Sequence, residues 1–205
     1  MNTDAVLSIN NSINTMKEQN RTESYWWLEG AASPLVSKQT IKDILTNTGL
    51  IELNSFKVVT SGMYENFESN NDPINQINRV KKALEEGNTV VVKNLETYNW
   101  DFEWVCKMIG SNVDAHMYIS PKGATGFPMH VDDRSVFIVM QYGEKEFNVE
   151  GQKIVLEAGD MLYLKQGVRH RASAIRSSCH ISFGLATSRI ADLHPSLPID
   201  INLPF

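Results

Sequence analysis

The fold is decided by residues 136–164, which read VFIVMQYGEKEFNVEGQKIVLEAGDMLYL. Short apolar or alternating runs are separated here by glycine and acidic residues, a pattern typical of β-strands joined by tight turns. The same texture continues outward on both sides, from Gly110 to Leu185, and predicts six strands, at 116–120, 136–141, 145–149, 153–156, 161–164 and 179–185. Short strands in this rhythm predict a small β-barrel or jelly roll.

The half of the chain before Gly110 has a different pattern. Apolar positions at helical spacing predict three helices, beginning near Gln39, at Asp72-Pro73 and at Asp101, which we expect to cap the third helix. A short buried strand is predicted at 89–92. Residues 1–24 are rich in Asn, Ser and Thr, and we interpret them as a loosely held arm or a marginal helix rather than core. Because no internal repeat or proline-rich linker separates the halves, we expect the helices to pack on the β-structure as one unit.

The composition argues against several classes of protein. The chain has 205 residues, enough for one ordinary domain with a full core. Its net charge of -5 argues against a nucleic-acid-binding protein, and its apolar runs are too short for a membrane span. The two cysteines, Cys106 and Cys179, are too few for a disulfide scaffold, so we expect a cytoplasmic protein.

Histidines concentrate in the β-rich half, which holds four of the five. In a strand, His130 and Asp132 would point to the same face, and His170 follows a Gly-Asp turn, an apolar run and a second glycine turn. Two histidines and one carboxylate form the facial triad of non-haem Fe(II) sites, although zinc tolerates the same ligands. The alternative for His-x-Asp alone is a hydrogen-bonded pair on a strand surface.

Residues 112–185 resemble the JmjC-type cupin oxygenases, and within them the branch of ribosomal-protein hydroxylases that use Fe(II) and 2-oxoglutarate. The motifs that carry the resemblance are HMYISP at 116–121, Gly126-Phe127, His130-Val-Asp132, Val136-Phe137, Gly143 and the segment from Gly159-Asp160 to His170. The resemblance implies an α+β fold with a mainly β core, a double-stranded β-helix of the cupin or jelly-roll type with packing helices in the N-terminal half. It also implies a single JmjC-like cupin domain over 25–205, divided into a helical part (25–111), a β-helix core (112–187) and a tail (188–205). The resemblance implies a minimal form without a C-terminal winged-helix region.

The resemblance also implies roles for individual residues. His130, Asp132 and His170 would be the catalytic iron ligands, and dioxygen would use an open position. Lys145, fifteen residues after the first ligand, would pair with the distal carboxylate of the cosubstrate 2-oxoglutarate. Taken alone, Lys145 would be an ordinary surface lysine.

Three more side chains are candidates for binding the cosubstrate. The resemblance implies that Tyr118 and His116 add hydrogen bonds to the same carboxylate. His180 would lie near the metal-bound end of 2-oxoglutarate, and a core histidine is an equal alternative. His194 is expected in the tail without a chemical role.

These features predict an oxygenase that hydroxylates a C–H bond of a peptide or protein side chain. The alternatives are the same chemistry on a free amino acid or small metabolite, a non-catalytic metal-binding cupin, and a zinc-dependent isomerase or hydrolase. Lys145 favours the oxygenase, because a simple cupin has no reason to keep a buried cation. We expect a monomer or homodimer, no membrane partner and no nucleic-acid partner.

A basic stretch at 161–191 has no Asp or Glu and is either a solvated face or a guide for an acidic partner. Its basic residues are Lys165, Arg169, Arg171, Arg176 and Arg189.

Overall fold

Two antiparallel sheets and five α-helices make up the computed structural model over the residues that it describes, which are 3–18, 23–66, 73–124 and 126–185. The helices are α1 (Thr3–Glu18), α2 (Lys38–Leu45), α3 (Thr48–Glu52), α4 (Pro73–Glu85) and α5 (Trp100–Ile109). The strands are β1 (Tyr25–Leu28), β2 (Phe56–Thr60), β3 (Met63–Asn66), β4 (Thr89–Val92), β5 (Asp114–Ser120), β6 (Ser135–Tyr142), β7 (Glu144–Val149), β8 (Gln152–Glu157), β9 (Met161–Leu164), β10 (His170–Ala174) and β11 (Ser178–Leu185).

The large sheet has the strand order β1-β9-β6-β11-β5-β4-β2-β3, and the small sheet has the order β10-β7-β8. Side chains of β6 explain how the layers stack. Val136, Ile138 and Met140 pack with side chains of the small sheet, whereas the alternate residues Phe137 and Val139 pack in the helix-side core. Because successive side chains of a strand point to opposite faces, β6 is buried on both and is apolar almost throughout.

The predicted jelly-roll α+β fold is confirmed, and the helices pack on the large sheet as expected. The six strands predicted in the second half lie within one or two residues of the observed bounds of β5–β9 and β11. The N-terminal half also adds strands to the large sheet, because β4 pairs with β5 and carries the β2–β3 hairpin on its other side. Strands β1, β2 and β3 were not predicted, although the turn Ser61-Gly62 is a hairpin signal.

The interpretation of residues 1–24 as an arm outside the core is wrong for α1. Ala5, Val6, Ile9 and Ile13 are buried and belong to the main core cluster. They recur at three- and four-residue spacing and so form one apolar face of the helix. That face packs near α5.

The third predicted helix has a different cap. Asn99, not Asp101, is its N-cap, and the Asn99 side chain accepts a hydrogen bond from the backbone N–H of Phe102. The helix therefore begins earlier than predicted, and Asp101 lies in its first turn. No helix in the described part of the chain is long and apolar enough to cross a membrane. His194 and Arg189 lie outside the described residues.

Candidate metal and cosubstrate site

The three predicted metal ligands converge where a loop meets the small sheet. His130 forms an isolated β-bridge with His170, the first residue of β10, through reciprocal backbone hydrogen bonds of 3.0 and 2.9 Å. Asp132 follows in the loop, where its backbone carbonyl accepts a hydrogen bond from Gly167. Residues 130–132 do not form a regular strand, so the same-face argument from strand geometry does not apply to them. A bridge at His130 and an anchored loop at Asp132 bring the same side chains together.

The ligand atoms are spaced as one metal ion requires. His130 Nε2 lies 3.6 Å from Asp132 Oδ1, and His170 Nε2 lies 3.5 Å from Asp132 Oδ2. One ligand atom from each residue lies within 4.8 Å of the other two. Ligand atoms that bind one ion at about 2.1 Å are about 3 to 3.5 Å apart, so small side-chain shifts would complete the coordination.

Hydrogen bonds fix the histidines in the ligating tautomer. His130 Nδ1 lies 2.8 Å from the Pro128 carbonyl oxygen, and His170 Nδ1 lies 3.0 Å from that of Val168. Because a carbonyl only accepts, each Nδ1 carries the proton and each Nε2 presents a lone pair. Burial also lowers the pKa of His170, which favours the neutral imidazole. Lone pairs facing a carboxylate call for a cation between them, so the donor set fits a metal.

A cavity of about 220 Å³ opens from this triad into the space between the sheets. Lys145 and His180 line it together with the triad, and the walls between them are mainly apolar. The remaining lining residues are Val59, Tyr64, Thr89, Tyr118, Gly126, Phe127, Val136, Ile138, Phe147, Ala172 and Ser182. One cavity therefore has a candidate metal site and a buried ammonium group in its wall.

Lys145 is buried, with 2% of its surface exposed. Its Nζ donates to Ser120 Oγ at 3.0 Å and lies 3.2 Å from His180 Nδ1. These contacts account for two of the three ammonium protons. Within the described ranges no carboxylate forms an ion pair with Lys145, and burial lowers its pKa to about 7. A buried cation of this kind is stabilised by an anion that enters the cavity.

His180 contacts Lys145. Its ring stacks on Tyr118 with centroids 4.7 Å apart and an interplanar angle of 3°. Burial and the neighbouring Lys145 lower the pKa of His180 well below its ordinary value, so the ring is neutral. A neutral Nδ1 can accept a hydrogen bond from Lys145, and no direct contact with a triad residue is observed for His180 in the described part of the chain.

Tyr118 and His116 share one face of β5 but have different surroundings. Tyr118 lines the cavity, and its hydroxyl oxygen lies 3.0 Å from that of Tyr64. His116 does not line the cavity. Its Nδ1 accepts a hydrogen bond from the backbone N–H of Asn94 at 3.3 Å, and its Nε2 lies 3.9 Å from Asp114 Oδ2.

Sequence reasoning missed Ser120 and Tyr64. Ser120 follows Tyr118 by two residues and so shares its face of β5. Because alternate residues of a strand share a face, the sequence could have indicated Ser120. Tyr64 had no such signal, because it reaches the cavity from an unpredicted hairpin.

The basic stretch lies outside the cavity as far as it is described. Lys165, Arg169, Arg171 and Arg176 are exposed, and Arg176 pairs with Glu144 at 3.2 Å. None of these four lines the cavity. Their side chains are therefore accessible to solvent.

Comparison with known proteins finds related sequences and a similar fold. Residues 116–180 match the cupin domain family. The chain is 30% identical over 122 residues to the bifunctional lysine-specific demethylase and histidyl-hydroxylase NO66 of Dictyostelium discoideum, covering 45% of this chain and 24% of the relative. It is 34% identical over 92 residues to ribosomal oxygenase 2 of Bos taurus, covering 35% of this chain and 20% of the relative. The chain thus spans about a quarter or less of the length of these relatives.

The structure of YcfD, a ribosomal oxygenase from Escherichia coli, has a similar fold. The TM-score is 0.58 at 17% identity, covering 85% of this chain and 51% of the other. A further structure of YcfD in complex with cobalt and 2-oxoglutarate gives 0.57 at 17% identity, covering 85% of this chain and 51% of the other. The resemblance to ribosomal oxygenases inferred from the sequence is confirmed.

Proposed function

We propose that this protein is an Fe(II)- and 2-oxoglutarate-dependent oxygenase that hydroxylates a C–H bond of a peptide or protein side chain. The observation that carries the proposal is the pairing, within one cavity, of a preorganised His130–Asp132–His170 triad with the buried Lys145. A metal-binding cupin without a cosubstrate does not need a desolvated ammonium group there. A dicarboxylate that spans the two sites explains both.

The triad would hold Fe(II) by three ligands and leave positions open for cosubstrate and dioxygen. Bound Fe(II) would supply dioxygen activation, which couples decarboxylation of 2-oxoglutarate to succinate and CO₂ with insertion of one oxygen atom into the substrate C–H bond. The hydrogen bonds from His130 to Pro128 and from His170 to Val168 orient both imidazoles before metal arrives.

Lys145 would bind and orient the distal carboxylate of 2-oxoglutarate. Two of its protons are directed to Ser120 and His180, which leaves one for the incoming oxygen. The apolar side chains of Val136, Ile138 and Phe147 also line the cavity. A charge-assisted hydrogen bond is stronger in such surroundings than in water.

A peptide or protein substrate is supported by the relatives, whose names describe histidyl-hydroxylase and ribosomal oxygenase activity. The surface beside the triad is also suited to contact with a polypeptide. Val131, between two of the ligands, is 53% exposed, and the half-buried Phe127 ring contacts the ring of His130. A side chain that enters between them would approach the metal.

Succinate formation tests the proposal. Protein purified anaerobically and loaded with Fe(II) should convert 2-oxoglutarate to succinate in the presence of oxygen, faster with a hydroxylatable peptide from a tiled ribosomal-protein set than with free amino acids. His130→Ala, Asp132→Ala and His170→Ala should each abolish turnover and lower bound iron, because three ligands are the minimum for this site.

His116→Ala is the matched control, since it removes a histidine that does not line the cavity, and it should retain metal. A wild-type protein that binds iron but forms no succinate under any of these conditions would contradict the oxygenase. Faster turnover of a free amino acid than of any peptide would contradict the substrate class.

A further inference from the structure

Tyr64 reaches the cavity from the β2–β3 hairpin, far in sequence from the other site residues. The hairpin turns at Ser61 and Gly62, with φ of 49° and 80°. Gly62 lies directly against Pro128, whose carbonyl holds His130, because a Cβ on Gly62 would be 2.5 Å from Pro128 Cδ. The hairpin is therefore seated on the loop that carries the first metal ligand.

Several contacts hold the Tyr64 ring at the mouth of the cavity. It meets Phe127 edge-on, with centroids 4.7 Å apart and an interplanar angle of 70°. The Lys93 ammonium lies 4.9 Å from the ring centroid, within cation–π range. These contacts involve the ring and direct the hydroxyl to that of Tyr118, 3.0 Å away.

The direction of the Tyr64–Tyr118 hydrogen bond follows from the number of protons. Each phenol has one proton to donate, and its oxygen can also accept. A carboxylate in the cavity only accepts, so Tyr118 can bond to it only by donating its single proton. The Tyr118 oxygen can then accept a hydrogen bond, and the Tyr64 hydroxyl is in place to donate it. A phenol that accepts one hydrogen bond donates a stronger one.

Tyr118 is held for this role on its other side as well. Its ring stacks on His180, which contacts Lys145, so the three side chains form a continuous unit. Burial raises the pKa of Tyr118 well above its ordinary value, which keeps the phenol protonated.

We infer that Tyr64 is a positioning residue for the cosubstrate: its hydroxyl donates to Tyr118 and thereby orients the Tyr118 hydroxyl to donate to a carboxylate of 2-oxoglutarate. This inference rests on the proposed function. It adds a residue from the N-terminal hairpin, outside the stretch that carries the metal ligands, and makes the two hydroxyls act as one unit.

A double-mutant cycle tests the inference with 2-oxoglutarate as the probe. Its dissociation constant is measured by calorimetry, in anaerobic Fe(II)-loaded protein, for the wild type, Tyr64→Phe, Tyr118→Phe and the double variant. Tyr118→Phe should weaken binding about tenfold and Tyr64→Phe about three- to tenfold. The double variant should be within about twofold of Tyr118→Phe alone, because groups that act through one another are not additive.

Phenylalanine keeps both rings, so packing against Phe127 and Lys93 is retained, and iron content should not change. Tyr142→Phe is the matched control: it removes a hydroxyl that donates to the Val36 carbonyl at 2.7 Å and does not line the cavity. Its affinity for 2-oxoglutarate should equal that of the wild type.

Two results would overturn the inference while the proposed function stands. One is a wild-type dissociation constant in Tyr64→Phe. The other is multiplication of the two losses in the double variant, which would mean that the hydroxyls act independently. Failure of the iron-loaded wild type to bind 2-oxoglutarate would instead overturn the proposed function, and this inference with it.

Discussion

Lys145 is a titratable group in the wall of the cavity, and its pKa is strongly shifted. Its ordinary pKa of 10.5 falls to about 7 because burial removes the water that would stabilise the ammonium ion. The neighbouring Cys179 thiol, whose pKa burial raises to about 12, is neutral at physiological pH and offers no countercharge. An anionic ligand would therefore stabilise the protonated form of Lys145.

The affinity for 2-oxoglutarate should fall as pH rises above about 7. The folded, ligand-free protein loses the Lys145 proton near that pH, and the dicarboxylate binds the protonated form, so binding must take up a proton. The loss should approach about tenfold per pH unit. Calorimetry at pH 7, 8 and 9, in buffers of different ionisation enthalpy, measures both the affinity and the proton uptake.

Variants at the same position provide the control for this pH dependence. Lys145→Arg should bind with little change over the range because arginine stays protonated, and Lys145→Ala should bind about ten- to hundredfold more weakly at pH 7 with unchanged metal content. A pH profile shared by the wild type and Lys145→Arg would assign the titration to another group.

At the scale of elements, the turn between β6 and β7 positions Lys145 near the start of its strand. Gly143 in this turn has a φ of +76°, and a Cβ there would lie 2.0 Å from the backbone oxygen of Ser177. Ser177 belongs to the turn that leads into β11, the strand that carries His180. The backbones of these two turns therefore approach closely, and this approach places Lys145 beside His180.

Gly143→Ala should lower the free energy of unfolding by about 3 kcal/mol or more. Left-handed backbone alone costs an alanine about 1–2 kcal/mol, and the clash with a backbone atom forces the two turns apart. Gly151→Ala is the matched control, because Gly151 has a φ of +91° with no atom within 4 Å of the added Cβ. Urea denaturation of both variants measures the difference. Equal losses would mean that the turns separate freely.

At the scale of the whole molecule, the N-terminal half completes the same core as the β-rich half. The main core cluster joins Ile9 of α1, Phe102 of α5 and Phe183 of β11. Strand β4 continues the large sheet beyond β5. The two halves of the chain therefore stabilise each other, and α1 is part of that unit.

Ile9→Ala should destabilise the protein by about 2–4 kcal/mol, as expected for a large-to-small change at a buried position. Ile9 is 1% exposed. Leu7→Ala, on the partly exposed side of the same helix, should cost clearly less. Thermal unfolding followed by circular dichroism compares them. If Ile9→Ala lowered the free energy of unfolding by less than about 0.5 kcal/mol, the interpretation of this segment as a loosely held arm would be supported instead.

The sequence by itself determined the β-rich half and the chemistry of its ligands. Strand alternation and glycine turns are local signals, so residues 136–164 predicted four strands, each within one residue of its observed ends. His130, Asp132 and His170 carry metal-binding groups, so the kind of ligand could be predicted before the loop conformation was known. The burial of Lys145 was expected only from the resemblance, because a lysine between two glutamates reads locally as surface.

Only the tertiary structure decided which distant side chains share the cavity. Ser120 and His180 meet Lys145 from two other strands, and Tyr64 meets Tyr118 across 54 residues of sequence. Such contacts depend on sheet register and on the packing of one sheet against the other, which no local pattern encodes. The same holds for α1: its apolar spacing was visible, but its place in the core depended on what packs against that face.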